Sequence, residues 1–195
     1  FEAVPQVMMV IAWLGAFTAL FAASIAITQR AIKRILAYST ISQLGYMMLS
    51  LCAGSLSASL FHLMTHAFFK ALLFLCAGAV MHALQDEADI FCMGGLRKRM
   101  PVTFAAMTIG VLAISGIPPF AGFFSKDEIL GAALQVSLPL YLAASLTSFL
   151  TAFYMARLLF AVFWGEPAKE TCNAQEVSWP MRFPLLVLAA LSVLS

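Results

Sequence analysis

Three side chains able to carry a proton, His62, His66 and Lys70, stand four residues apart in the run Phe61-His62-Leu63-Met64-Thr65-His66-Ala67-Phe68-Phe69-Lys70. On a helix this spacing sets all three on one face and spreads them over about 12 Å of axis. Histidine exchanges protons near neutral pH, and a lysine amine can release a proton that a guanidinium keeps. The surrounding residues are apolar, so the trio must face a bundle interior or a water cavity. One reading is a lateral relay of protons. The other is that the histidines hydrogen-bond neighbouring helices and Lys70 is half of a structural ion pair.

A second group lies in Ser115-Gly116-Ile117-Pro118-Pro119-Phe120-Ala121-Gly122-Phe123-Phe124-Ser125-Lys126-Asp127-Glu128. Pro118 and Pro119 remove two backbone donors, and Gly116 and Gly122 loosen the chain, so no continuous helix is expected to pass through. Neither flank is long enough to span a bilayer core of roughly 30 Å alone, which predicts a single broken span. Unwound backbone at that depth requires cover from protein or a water-filled cavity. Ser125 and Glu128 have capping-box spacing, which predicts that the second half-helix starts there, with Lys126 at its amide end. Asp127 is then an adjacent countercharge. The alternative is a surface hairpin with Lys126, Asp127 and Glu128 in water, but it puts Arg157 and Lys169 on an otherwise cation-free side.

The elements that must hold these groups follow from composition. Hydrophobic residues make up 63% of the 195 and charged residues 10%, with a mean hydropathy of +0.96. Soluble domains carry roughly 25% charge, so the expected class is all-α, a polytopic transmembrane bundle with one discontinuous helix. The whole chain, 1–195, reads as one transmembrane module. Its spans are predicted at Pro5–Thr28, Ile32–Ala53, Ser57–Leu84, 101–135 (broken) and Leu138–Trp164, with a truncated sixth from Pro180. Phe1 in place of a methionine, and an apolar run that stops at Ser195, read as the ends of a fragment of a longer subunit.

Eleven lysines and arginines support this count. Apart from Lys70 and Lys126, they fall in or beside alternate connections: Arg30, Lys33 and Arg34; Arg97, Lys98 and Arg99; Arg157, Lys169 and Arg182. Five single crossings put all nine on one side, expected to be cytoplasmic, with Gly54–Ser57 and 136–137 opposite. Trp164 and Trp179, near span ends, fit an aromatic belt. Tyr38, Ser39, Thr40, Ser42 and Gln43 make the second span polar enough to line a wet seam or to hydrogen-bond between helices. Cys52, Cys76, Cys92 and Cys172 lack metal-ligand spacing, and no metal is expected. A net charge of +2 gives no footprint for nucleic acid.

The motifs Ile32-Lys33-Arg34-Ile35-Leu36-Ala37-Tyr38-Ser39-Thr40-Ile41-Ser42-Gln43-Leu44-Gly45-Tyr46, Phe61 to Phe74 and Gly116 to Leu130 resemble a known family. It is the proton-conducting membrane module shared by the antiporter-like subunits of respiratory complex I, multi-subunit cation/proton antiporters and energy-converting hydrogenases. Phe124-Ser125-Lys126-Asp127-Glu128-Ile129-Leu130 and Phe163-Trp164-Gly165-Glu166-Pro167 are most similar to the subunit L type of complex I. The resemblance implies proton translocation within an NADH:quinone oxidoreductase, in a bacterial inner membrane, by a subunit with no redox chemistry of its own. A subunit of a Na⁺/H⁺ antiporter, or of an energy-converting hydrogenase, is the alternative. Lys70 corresponds to the family's central lysine, with His62 and His66 as its relay; Lys126 corresponds to the terminal lysine, with Asp127 adjacent. The first five spans resemble the second of two inverted repeats, and the first repeat is missing. There is no Gly-rich nucleotide loop and no cysteine cluster. NADH, FMN, iron–sulfur clusters and quinone are therefore expected in other subunits, and the partners implied are other membrane subunits, lipid, protons and water.

Overall fold

A computed structural model describes residues 5–165, 171 and 174–194. Lys169, Cys172 and the Glu166-Pro167 pair lie outside the described residues. Seven α-helices form the described part: α1 (Pro5–Thr28), α2 (Ile32–Cys52), α3 (Leu56–Ala83), α4 (Pro101–Ser115), α5 (Ala121–Val136), α6 (Leu138–Phe163) and α7 (Trp179–Leu194). Helices α1, α2, α3 and α6 are each long and apolar enough to cross a membrane. Helices α4 and α5, of 15 and 16 residues, are not.

The connections sort into two ends of the bundle. The α1–α2 turn pairs with the loop after α3: Ile32 donates to the Ala88 carbonyl (2.9 Å) and Ile90 to the Arg30 carbonyl (3.1 Å). Arg157, near the end of α6, donates to the Gln29 carbonyl at the same end. Arg30 and Arg157 also both lie over the Phe91 ring. The opposite end holds the Gly54–Ser57 turn, which faces the Asp127 to Gln135 stretch of α5 across an open groove. So α4 starts at the cationic end and α5 finishes at the other.

Close helix contacts depend on small residues. A Cβ on Gly45 would stand 2.7 Å from the Ala19 nitrogen and the Gly15 oxygen, and one on Gly15 would be 2.8 Å from the Gly45 oxygen. Ala12, Ala16, Ala19, Ala23 and Ala26 are all buried along the same helix. In lipid, such close approach replaces the hydrophobic drive as the source of helix association. Ser42 adds a hydrogen bond across this contact to the Ala19 carbonyl (2.8 Å).

Helix α4 begins at Pro101 after Met100, which provides no side-chain cap. The cap comes from far along the chain. Glu176 accepts from the Val102 amide (2.7 Å), the Thr103 amide (3.3 Å) and the Thr103 hydroxyl (2.6 Å). A carboxylate there satisfies orphaned donors and complements the helix dipole. Glu176→Ala should destabilise the protein by about 1–2 kcal/mol, read as a lower thermal midpoint in detergent; an unchanged midpoint would remove this role. Trp164, expected in an aromatic belt, packs on Phe104 and Phe160 and carries Arg97 over its ring.

Candidate functional site

The core divides into two apolar clusters. One, toward the cationic end, contains Ile35, Leu36, Phe69, Leu73, Ile114 and Tyr154 among others. The second, toward the Gly54 turn, contains Ala16, Tyr46, Ala58, Ile129 and Ala144. On four helices the residues between the clusters are polar and buried: Gln43 on α2, His62, Thr65 and His66 on α3, Ser125 and Lys126 on α5, Thr147 and Thr151 on α6. A polar layer thus crosses the bundle at mid-height.

The hydrogen bonds in this layer have a direction. The Thr151 hydroxyl gives its proton to the Thr147 carbonyl (2.8 Å), so it accepts from Gln43 Nε2 (3.4 Å). That turns the Gln43 carbonyl oxygen toward His62 Nε2 (3.0 Å). His62 Nδ1 lies 2.9 Å from the Ser125 hydroxyl, which reaches the Gly122 carbonyl (3.4 Å); the Thr65 hydroxyl stands between the His62 carbonyl (3.2 Å) and Ser125 (3.3 Å) as acceptors. The His62 and His66 rings are 6.1 Å apart, too far for a direct bond and suited to a bridging water.

Lys126 is 3% exposed, which rules out the solvated surface hairpin. Its Nζ donates to the Ile114 carbonyl at 2.6 Å. The break is shorter than the sequence suggested. Helix α4 ends with Gly116 in the left-handed region (φ 74), and α5 starts at Ala121 behind an extended Phe120. Pro118 and Pro119 occupy the gap, joined by a cis bond. Ser125 is therefore the fifth residue of α5, not its cap, and the expected capping box with Glu128 does not form. Lys126 correspondingly lies at the carbonyl end of α4 instead of the amide end of α5. The reason is the crossing of the two helices. Gly122 packs so tightly on α4 that a Cβ there would be 1.8 Å from the Ala113 oxygen, and that contact carries the first turn of α5 back past the end of α4.

Lys70 is 6% exposed. Its Nζ and His66 Nε2 are buried without a hydrogen-bond partner, and the Lys70 amine lies 5.6 Å from the centre of the Phe74 ring. Asp127 and Glu128 are exposed and line the open groove by Gly54; the expected Asp127 countercharge points away from the layer that holds Lys126. Lys126 is within electrostatic reach of both His62 and His66. The structure thus gathers His62, His66 and Lys126 and leaves Asp127 at the rim. Two members of the layer, Gln43 and Ser125, have partners that sequence reasoning did not assign. Among the described residues, no group of three or more His, Cys, Asp and Glu could hold a metal ion.

Similarity to known proteins agrees with this geometry. The family described as NADH:quinone oxidoreductase/Mrp antiporter, TM, matches residues 1–151. The NAD(P)H-quinone oxidoreductase chain 5 of a Synechocystis species is 54% identical over 173 residues, covering 85% of this chain and 25% of that protein. NADH-quinone oxidoreductase subunit L of Campylobacter jejuni is 50% identical over 196 residues, covering 100% and 32%. The chain therefore spans about a quarter to a third of the length of these relatives. Among solved structures, an archaeal membrane-bound sulfane sulfur reductase superposes with a TM-score of 0.89 at 32% identity, covering 95% of this chain and 31% of the other. The Mrp complex of a Dietzia species shares the fold, with a TM-score of 0.89 at 22% identity, covering 99% and 45%. The chain is an integral membrane protein of the NADH:quinone oxidoreductase/Mrp antiporter transmembrane family.

Proposed function

We propose that this chain moves protons through the membrane arm of an NADH:quinone oxidoreductase, as part of a subunit resembling subunit L, and that it performs no redox chemistry itself. The observation that carries this is the buried layer in which His62, His66 and Lys126 meet between two apolar clusters, with Lys70 one turn further along α3. A proton crosses this layer by binding to a side chain or an ordered water, because the clusters on either side are largely apolar. The relay runs along Lys70, His66 and His62 and reaches the broken helix at Ser125 and Lys126. Asp127, in the groove beside Gly54, receives protons at the rim. NADH, FMN, iron–sulfur clusters and quinone belong to partner subunits, and the cationic end faces the cytoplasm of a bacterial cell.

The identity of the relatives favours this over a Na⁺/H⁺ antiporter subunit: those at about half identity are quinone oxidoreductase subunits, while the Mrp structure shares 22%. The test uses the full-length subunit, tagged in its native membrane. NADH-oxidising activity should co-purify with it, and Lys126→Met should abolish NADH-driven proton uptake into vesicles while the assembly survives on a native gel. Co-purification with small membrane proteins alone would favour the antiporter, and native proton uptake by Lys126→Met would remove the site.

A further inference from the structure

The hydrogen-bond directions around His62 carry a step beyond the relay itself, and it rests on that reading. Because Thr151 spends its proton on the Thr147 carbonyl, Gln43 presents its carbonyl oxygen to His62 Nε2. A carbonyl accepts only, so Nε2 keeps its hydrogen in both the neutral and the charged imidazole. The exchangeable position is then Nδ1, and its partner is Ser125 on the broken helix.

We propose that Gln43 and Ser125 are positioning residues that confine proton exchange at His62 to Nδ1, on the side facing α5. In the neutral state the Ser125 hydroxyl donates to Nδ1. When a proton arrives from His66 through water, an N–H bond breaks on the His66 imidazolium and one forms at Nδ1, leaving a neutral His66 and a charged His62. Ser125 then accepts from Nδ1–H and turns its own hydrogen to the Gly122 carbonyl, 3.4 Å away. Release to the neutral amine of Lys126 reverses each change at His62 and Ser125. Both acceptors needed by the swinging hydroxyl are already in place, His62 Nδ1 on α3 and the Gly122 carbonyl where α5 crosses α4. The charge state of His62 is thereby tied to the first turn of the helix that carries Lys126.

The decisive comparison is Ser125→Thr with Ser125→Val in the assembled full-length complex, since these side chains have the same shape and differ by one hydroxyl. Threonine should retain most of the proton uptake per NADH oxidised, and valine should lose about tenfold or more, as orienting partners of a functional histidine typically do. Gln43→Leu should fall by a similar factor. His62→Ala is measured beside them. If His62→Ala pumps at the native rate, the relay through this histidine fails and the proposal falls with it. If His62→Ala is defective while Ser125→Val pumps like Ser125→Thr, the relay stands and the positioning role is overturned. Failure of the threonine and valine variants alike also overturns it, because the hydroxyl then has no role separable from the shape of the site.

Discussion

Lys70→Arg should stop proton uptake by vesicles carrying the assembled full-length complex, and Lys70→Met should do the same. A relay needs a group that lets its proton go, whereas an ion pair needs only a lasting cation, which arginine supplies under essentially all conditions in proteins. Among the described residues the ion-pair alternative also lacks its other half. The Lys70 Nζ has no hydrogen-bond partner, and its neighbour is the face of Phe74. His66→Ala should slow pumping less, since a water can fill a gap of that size between relay groups. The measurement is NADH-driven acidification of inverted vesicles, with assembly followed on a native gel. Near-native pumping by Lys70→Arg would transfer the residue to a structural role. The methionine variant is needed beside it, because the forked guanidinium brings bulk as well as charge.

Gly122→Ala should give a larger loss of assembled complex than alanine at Gly15, Gly45 or Gly110. The added carbon would stand 1.8 Å from the Ala113 oxygen and 2.8 Å from its carbonyl carbon, and both are backbone atoms that no rotamer change can move. The two half-helices must separate, and over-packing of this kind costs about 1–3 kcal/mol even where neighbours can give. Separation also pulls Lys126 off the Ile114 carbonyl, so any complex that does assemble should pump poorly. Gly78→Ala is the matching control, since a Cβ there meets nothing within 4 Å. Equal amounts of the two variants on a native gel, with equal proton uptake, would refute the crossing as a constraint.

The helices were legible because their signals are long and local. Apolar length bounded the helices to within a residue or so, and Pro118-Pro119 marked the interruption through the loss of donors. The His62, His66 and Lys70 face was legible from the helical repeat alone. What misled was the start of α5. A serine three residues before a glutamate reads as a cap in isolation, but the crossing at Gly122 brings the helix start forward to Ala121 and leaves Ser125 free for His62. Gln43 was one polar residue among five on α2. Ser42 faces α1 and Thr40 returns to the Leu36 carbonyl of its own helix; only the position of α6 distinguishes Gln43 from them. Glu176 could not be read at all, because its partners lie more than seventy positions earlier in the chain.

The membership of the mid-height layer has an electrical consequence. Among the described residues its buried members are one lysine, two histidines, four neutral hydroxyls and one amide, with Lys70 one turn beyond and no buried carboxylate. Every proton taken up therefore adds a positive charge that nothing inside the layer cancels. At an effective dielectric of about 20, two unit charges 4 Å apart repel by about 4 kcal/mol, and the groove that holds Asp127 and Glu128 is outside the seal. On the proposed relay the layer would consequently load anti-cooperatively: each arriving proton would drive a neighbour onward, so that charge passes in succession and is not stored.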